Sequence, residues 1–318
     1  MLVDMQVADA SVFRHEAMLY AGRDDFIQQT LPFIRDAILA QQPILVAVDR
    51  SKIEELQRSL GADAAKVRFE DMAKIGRNPA RIIPVWRAFV EEDSASGQGM
   101  RGIGEPIWAG RSPDELVECE RHEALLNLAF ASPPTPLRLM CPYDTRSLST
   151  SVIDEARRNH PIVTNWGDSK PSGSYQELDA IARPFDVPLP QPADVPAEMP
   201  FDESQLHELR MFVKAQAVER GVESARVPDV ILAVHETATN SIRYGAGGGV
   251  LRIWSQDGKM ICEVHDHGHI DQPLVGRVTP DPTEPGGFGL WLANQFCDLV
   301  QVRTSTDGSI VRLHVGIA

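Results

Sequence analysis

Prolines divide this 318-residue chain into two segments. Seven of them fall between Pro171 and Pro200. Proline lacks a backbone N–H and fixes φ, so a series this dense fits neither a helix interior nor a central strand. We therefore predict an extended linker over residues 176–200, stiffest from about 185, between domains at 1–175 and 201–318. The length also exceeds the size at which one hydrophobic core stops growing.

The N-terminal segment alternates short apolar runs with helical patterns. Strands are predicted at 17–20, 44–48, 67–69, 102–104 and 137–141. Helices are predicted between them, at 24–40, 52–60, 79–91 and 113–131. This alternation predicts a parallel sheet with helices on both faces, a three-layer α/β domain.

The junction between the first strand and the first helix lacks the residues of a phosphate loop. It has one glycine, Gly22, no lysine, and two carboxylates, Asp24 and Asp25, that would repel a polyphosphate. A P-loop requires flexible glycines and a lysine. We therefore expect no P-loop hydrolysis of nucleotides by this segment.

Charge and cysteine usage exclude several classes of protein. With 45 acidic and 31 basic residues the net charge is −14, which argues against a nucleic-acid surface. The longest apolar run, 43–48, is too short for a membrane span. The first residues have neither a basic start nor an apolar stretch, so no secretory signal is predicted. Four separated cysteines without CxxC indicate reduced thiols and a cytoplasmic location.

The C-terminal segment carries three motifs suited to nucleotide chemistry. Helices are predicted at 204–219, at 228–244 and from the glycine-rich stretch to 296, with strands at 250–254, 261–264, 300–304 and 310–315. Glu236 and Asn240 are four residues apart and share a helix face. Asp266 and Gly268 follow a strand, and an aspartate can accept a hydrogen bond from an adenine amino group. A glycine-rich stretch then opens a helix, whose N-terminal amides suit phosphate oxygens.

In this order and spacing, the motifs resemble the N, G1 and G2 boxes of the GHKL ATPases, and the short layout is most similar to that of anti-sigma-factor serine kinases. The resemblance covers about residues 201–318 and implies a two-layer α/β sandwich, the Bergerat ATP-binding fold. It implies that Asn240 holds Mg²⁺, that Glu236 is the general base, and that Asp266 binds the adenine of ATP, with Gly268 lining the base pocket. The phosphates would be contacted by Gly286, Gly287 and Gly289.

The same resemblance implies partners and a reaction. In that family the γ-phosphoryl group passes to a serine or threonine of an anti-sigma antagonist, and the kinase also sequesters a sigma factor. A homodimer is compatible with the resemblance. The chain departs from the family at Tyr244, where histidine is usual, and at His269, where a second glycine is commoner. These departures favour the alternative of a non-catalytic switch that binds ATP and changes partner affinity.

Two further interpretations concern histidines. His207 followed by Glu208 is compatible with the phosphoacceptor of a histidine-kinase-like protein. On a strand, His265, His267 and His269 would share one face, as zinc ligands do. The sequence leaves both alternatives open.

The N-terminal motifs resemble a sensory family. His15-Glu16, residues 104–108, residues 120–123 and residues 141–144 are similar to motifs of the MEDS domain of methanogen and methylotroph regulators. The resemblance covers roughly residues 10–175 and implies a RecA-like fold without a working P-loop, with a sensory or docking role and an unidentified small ligand. Glu105 and Cys141 are each open to two interpretations, a ligand pocket or an ordinary buried residue.

Overall fold

A computed structural model describes residues 12–93, 97–176, 187–281, 283 and 287–317. The chain forms two compact units, Met1–Ile181 and Ala182–Ala318. In the part of the chain that is described, no helix has both the length and the apolar character needed to cross a bilayer.

The first unit is built on a seven-stranded sheet. Its strands are β1 (Phe13–Tyr20), β2 (Ile44–Val48), β3 (Arg68–Asp71), β4 (Met100–Gly104), β5 (Leu137–Asp144), β6 (Ile162–Asn165) and β7 (Asp168–Pro171). They lie in the order β3-β2-β4-β5-β1-β6-β7. All neighbours are parallel except β6 and β7, which form an antiparallel hairpin at one edge.

Helices cover both faces of this sheet. They are α1 (Arg23–Leu39), α2 (Arg50–Leu60), α3 (Met72–Ile75), α4 (Ile82–Asp93), α5 (Pro113–Ala129) and α6 (Thr150–Asn159), with 3₁₀ turns at Gly61–Lys66 and Pro79–Arg81. Ile103 of β4 belongs to the core formed with α1 and α2. Its neighbours Gly102 and Gly104 face the other way, against Trp86 of α4, because successive residues of a strand point to opposite faces. The predicted three-layer α/β domain is therefore present.

Glycine and a capped helix explain two local features of this unit. A methyl group at Gly102 would lie 2.6 Å from Trp86 Cζ3, so the glycine makes room for the indole. Helix α5 begins as its sequence predicts, because the Ser112 hydroxyl accepts a hydrogen bond from Glu115 N and the Glu115 carboxylate accepts one from Ser112 N.

The second unit is a five-stranded antiparallel sheet with helices on one face. Its strands are β8 (Ala197–Asp202), β9 (Gly248–Gln256), β10 (Lys259–Asp266), β11 (Leu299–Ser305) and β12 (Gly308–Gly316), in the order β11-β12-β10-β9-β8. Its helices are α7 (Leu206–Glu219), α8 (Val227–Tyr244) and α9 (Phe288–Phe296), with a 3₁₀ turn at Glu203–Gln205. One buried apolar cluster joins the three helices to the sheet, which is the predicted two-layer sandwich.

The last part of the predicted linker is integrated in the second unit. Residues 197–200 lie in β8, which pairs with β9 at the edge of the described sheet, where proline is tolerated. The carbonyl oxygen of Val187 accepts a hydrogen bond from Arg303 Nε (3.0 Å), and that of Pro190 accepts one from Arg312 Nη2 (2.8 Å). Residues 187–200 thus pack on the C-terminal sheet, whereas 177–186 lie outside the described residues.

Candidate functional site

A cavity of about 540 Å³ lies between α8, α9, the end of β10 and the segment that follows it. Five of the residues that the resemblance assigns to binding ATP or Mg²⁺ line this cavity, namely Asn240, Asp266, Gly268, Gly287 and Gly289. A sixth, Gly286, lies outside the described residues. The fold therefore brings the three motifs to one place.

Asp266 is held in a fixed orientation at the end of β10. One carboxylate oxygen accepts a hydrogen bond from the Ser241 hydroxyl (2.5 Å), and the other accepts one from the Gly268 backbone N–H (2.7 Å). A methyl group at Gly245 would lie 2.6 Å from Asp266 Cγ, so glycine is required where α8 ends against this carboxylate. Each oxygen retains a further lone pair for a ligand in the cavity.

Asn240 lies near the C-terminal end of α8, in close contact with the start of α9. A methyl group at Gly289 would lie 2.5 Å from Asn240 Nδ2. The glycine therefore lets the two helices approach and leaves the amide at the cavity wall. An amide oxygen is a hard ligand of the kind that Mg²⁺ accepts.

The N-terminus of α9 faces the same cavity through Gly287. This residue is the N-cap of α9 with φ 83°, a left-handed conformation that favours glycine. Glycine has no side chain to cap the helix, so the first-turn N–H groups keep their capacity to bind an anion. The helix dipole adds positive potential at this end.

Glu236 occupies a different position from the other candidates. It lies on α8 one turn before Asn240 and is half-buried, but it is not among the residues that line the cavity. The predicted pair thus shares a helix, with the amide at the cavity wall and the carboxylate beside it.

Comparison with known families agrees with this geometry. Residues 14–161 match the model of the MEDS family, the methanogen/methylotroph DcmR sensory domain, and residues 199–315 match that of the histidine kinase-like ATPase domain. The chain joins a MEDS domain to a histidine kinase-like ATPase domain. Membership of the ATPase family implies that the C-terminal domain binds ATP.

Two solved structures are similar to parts of the chain at low identity. One contains the RsbU and RsbW domains of a Mycobacterium tuberculosis protein, with 18% identity and a TM-score of 0.29 over 40% of this chain and 33% of that one. The other is a prototypical ATPase from the type III secretion system of pathogenic bacteria, with 8% identity and a TM-score of 0.32 over 54% of this chain and 62% of that one. The chain thus spans less than two thirds of either protein. No curated protein sequence matches it.

The cavity of the ATPase domain is acidic. Asp266, Asp271 and Asp281 line it, and none of the described residues in its wall is lysine or arginine. A polyphosphate in this cavity would meet backbone amides at α9 and carboxylates elsewhere. The residues present therefore fit a nucleotide that enters together with a divalent cation.

Three hydroxyl side chains at the ATPase site were not predicted from the sequence. Ser241 orients Asp266, and Ser309 Oγ donates to the Gly268 carbonyl oxygen at 2.9 Å, which ties β12 to the loop after β10. Thr237 also lines the cavity, four residues before Ser241 on the same helix face. The helical spacing of Thr237 and Ser241 with Asn240 could have indicated these two residues. Ser309 is distant in sequence, and no sequence pattern indicated it.

The histidines around Asp266 have separate partners. His265 Nε2 lies 2.6 Å from Glu263 Oε1, His267 Nδ1 lies 3.4 Å from the Asp307 carbonyl oxygen, and His269 Nδ1 lies 3.0 Å from Thr304 Oγ1. They are not among the metal-ligand groups found in the described residues. The zinc-site interpretation is therefore not supported. Tyr244, at the position of the usual histidine, is 70% exposed at the edge of the cavity.

In the MEDS domain, Glu105 is a paired buried residue. Lys52 Nζ lies 2.5 and 2.7 Å from its two carboxylate oxygens, and the Tyr20 hydroxyl donates to it at 2.5 Å. Burial raises the pKa of Glu105, although Lys52 and Tyr20 stabilise its charged form. Of the two interpretations, the structure supports the satisfied polar residue.

Proposed function

We propose that this protein binds ATP with Mg²⁺ and phosphorylates a serine or threonine of a partner protein, under the control of its MEDS domain. The observation that carries the proposal is that Asn240, Asp266 and the glycine-led N-terminus of α9 line one cavity. Each of these groups matches a different part of the nucleotide.

Adenine recognition is assigned to Asp266. Its carboxylate is oriented by Ser241 and by the Gly268 N–H, which leaves lone pairs that can accept hydrogen bonds from an exocyclic amino group. Gly268 itself has no room for a side chain, since a methyl group there would lie 2.7 Å from the Tyr244 carbonyl oxygen. The base would therefore lie against bare backbone.

The phosphates are assigned to Gly287 and Gly289 at the start of α9, and to Gly286, which lies outside the described residues. Asn240 is assigned to the cation, because its amide is placed against this helix start and the surrounding wall is acidic. When bound, Mg²⁺ supplies the positive charge that offsets charge developing on the transferred group.

Phosphoryl transfer requires a group that takes the proton of the attacking hydroxyl. The hydroxyl oxygen of the partner forms a bond to the γ-phosphorus, the bond to the bridging oxygen breaks, and ADP leaves. Glu236 is the proposed acceptor of the hydroxyl proton. Its place one turn from Asn240, beside the cavity rather than in its wall, suits a group that acts on an incoming side chain.

We propose partners of the anti-sigma type. The short ATPase domain resembles anti-sigma-factor serine kinases, and one of the similar solved structures contains an RsbW domain. The substrate is then a small antagonist protein with a serine or threonine acceptor, and the second partner is a sigma factor. The MEDS domain would act as the sensor of the ATPase domain, to which residues 187–200 also belong.

The site assignment is tested by nucleotide binding. We expect Asn240→Ala and Asp266→Asn each to weaken Mg-ATP binding at least tenfold, because each removes a charge-assisted contact of about 1.5–3 kcal/mol. Binding of a fluorescent ATP analogue measures the effect. The matched controls are Arg243→Ala, exposed on the same helix, and Asp257→Asn, in the β9–β10 turn. Unchanged affinity in both site variants would contradict the assignment.

ATP labelled in its γ-phosphate distinguishes a kinase from a non-catalytic switch. If the protein is a kinase, we expect it to transfer label to a serine or threonine of an antagonist protein. We then expect Glu236→Gln to reduce this transfer while ATP binding persists. Tyr244 and His269, which depart from the family pattern and line the cavity, favour the alternative of a switch, in which ATP binds without transfer. Acid-labile label on His207, which is exposed in the first turn of α7, would instead indicate a histidine-kinase-like protein.

A further inference from the structure

Four side chains with metal-ligating atoms meet in the interior of the MEDS domain. His15 is on β1, Cys141 on the neighbouring strand β5, Glu123 on α5, and His160 directly after α6. All four are almost fully buried, with exposures of 0–1%. Their ligand atoms all lie within 4.8 Å of one another. Four elements distant in sequence thus deliver these groups to one point.

Three of the separations within this cluster are close to those between ligands of one metal ion. His15 Nε2 lies 3.2 Å from Glu123 Oε2 and 3.3 Å from Cys141 Sγ, and His160 Nε2 lies 3.2 Å from Glu123 Oε2. Tetrahedral sites with bonds of about 2.0–2.3 Å have ligand-to-ligand edges of roughly 3.3–3.7 Å. A small shift of the side chains would therefore admit an ion at the centre.

The outer contacts of the two histidines fix their tautomers. His160 Nδ1 lies 2.7 Å from the Ala156 carbonyl oxygen, which can only accept, so Nδ1 carries the proton. Asn127 donates through Nδ2 to the Asn159 carbonyl oxygen, which leaves its Oδ1 to accept from His15 Nδ1 at 3.1 Å. In its neutral form each imidazole therefore turns a lone pair on Nε2 into the cluster, and an outer hydrogen bond of this kind is characteristic of metal-bound histidine.

The cluster has too few protons for its acceptors. With both imidazoles neutral, two Nε2 lone pairs and the Glu123 carboxylate converge, and the Cys141 thiol is the one donor that these side chains turn toward them. His160 Nε2 and Glu123 Oε1 have no hydrogen-bond partner among the described residues. Converging buried acceptors of this kind destabilise the fold unless a cation joins them.

We infer that His15, Glu123, Cys141 and His160 form a binding site for a divalent transition metal in the MEDS domain. The donor set of two imidazoles, one carboxylate and one thiolate suits Zn²⁺ and its spectroscopic substitute Co²⁺, because the thiolate selects against Mg²⁺ and Ca²⁺. Binding forms four metal–ligand bonds and breaks the S–H bond of Cys141, whose proton is released to solvent. Full burial leaves no side of the ion open to solvent, so the site ties β1, β5, α5 and α6 together rather than performing catalysis.

This site and the nucleotide cavity lie in different domains. The inference therefore does not rest on the proposed kinase activity, and the two can fail separately. It gives the sensory domain a specific ligand chemistry, in which metal occupancy changes the stability of the MEDS domain.

Cobalt spectroscopy of the full-length chain tests this inference. After chelator treatment, titration with Co²⁺ is expected to reach one equivalent, with tetrahedral d–d bands and a thiolate-to-cobalt charge-transfer band. Cys141→Ser is expected to abolish the charge-transfer band. Cys119→Ser is the matched control, because Cys119 is an equally buried thiol of the same domain that donates to the Pro106 carbonyl oxygen. His267→Gln controls for the exposed histidines of the ATPase domain and is expected to leave the spectrum unchanged.

A milder variant guards against misfolding. Asn127→Ala removes only the outer hydrogen bond of His15 and is expected to weaken Co²⁺ binding about 10- to 100-fold while retaining the bands. The inference is overturned if chelator-treated wild-type protein binds no Co²⁺, if Cys141→Ser retains the charge-transfer band, or if Cys119→Ser loses it. The wild-type spectrum decides the question even where Cys141→Ser does not fold.

Discussion

At the scale of single residues, Glu263 illustrates how the ATPase domain tolerates charge inside its sheet. It lies on the face of β10 opposite the helices and is 1% exposed. Arg312 Nε donates to one carboxylate oxygen at 2.6 Å, while Arg252 and His265 lie 3.3 and 2.6 Å from the other. Burial alone would raise the pKa of Glu263, but the His265 hydrogen bond and the Arg312 charge outweigh it and lower the pKa from its ordinary value.

A depressed folded-state pKa stabilises the protein above the unfolded-state pKa, and this contribution is lost as the pH falls through the folded-state value. We expect Glu263→Gln to lower the free energy of unfolding by about 3–5 kcal/mol at pH 7, because Arg312 remains buried without its carboxylate. The deficit should shrink as the pH falls below the ordinary glutamate pKa of about 4.3, because the wild-type advantage is lost between that value and the lower folded-state pKa. Urea unfolding at both pH values measures it. Glu198→Gln, at a 53% exposed partner of Arg252, should change stability by less than about 1 kcal/mol. A deficit independent of pH would contradict this account.

Residue chemistry was easier to predict from the sequence in the ATPase domain than in the MEDS domain. Asn240, Asp266 and Gly289 each lie in a short contiguous motif. His15 and His160 are 145 positions apart in sequence and come together only in the folded domain. The strand predicted at 17–20 begins at Phe13 in the structure. The prediction missed its first residues because His15 and Glu16 are polar and break the apolar pattern. Both are nevertheless buried, since Glu123 and Arg138 supply their partners from other elements.

At the scale of elements, the contact between α8 and α9 depends on Gly289. A side chain there would displace the Asn240 amide, because the nearest atom is Nδ2 at 2.5 Å from the added methyl group. We expect Gly289→Ala to weaken Mg-ATP binding about as much as Asn240→Ala, with little effect on folding, since alanine favours the helix. The double variant should show non-additivity in nucleotide binding, because both changes remove one contact. Gly173→Ala, with open space around it, is the control. Fully additive losses of Mg-ATP affinity in the double variant would contradict this account.

Long apolar elements were predictable, and short polar ones were not. The predicted helix at 113–131 matches α5, and the strand at 44–48 matches β2. The hairpin of β6 and β7 was missed because its four-residue strands are mostly polar, and β8 was missed because Pro200 argues against a strand. Edge strands satisfy one side of their backbone with a neighbour and need little apolar sequence, so periodicity does not reveal them.

At the scale of the whole molecule, the position of the domain boundary determines which fragment is stable. The proline-rich segment provides carbonyl oxygens to Arg303 and Arg312, which are 5% and 4% exposed, and Leu189 beside them is 6% exposed. Strand β8 then covers the edge of β9. A domain boundary drawn at Pro200 would remove these carbonyl oxygens. The buried guanidinium groups of Arg303 and Arg312 would then each lose a hydrogen-bond acceptor.

We therefore expect a fragment of residues 187–318 to fold alone and to bind Mg-ATP as tightly as the full chain, whereas a fragment of residues 203–318 melts at a lower temperature. Losing two hydrogen bonds to charged donors costs about 3–6 kcal/mol, which corresponds to a Tm decrease of roughly 10 °C or more in a domain of this size. Scanning calorimetry of both fragments at equal concentration measures the difference. Pro190→Ala in the longer fragment keeps the carbonyl and should retain most of the stability. Equal Tm values for the two fragments would mean that residues 187–202 are a passive connection, because the arginines would then be satisfied as well by water as by the backbone they bind.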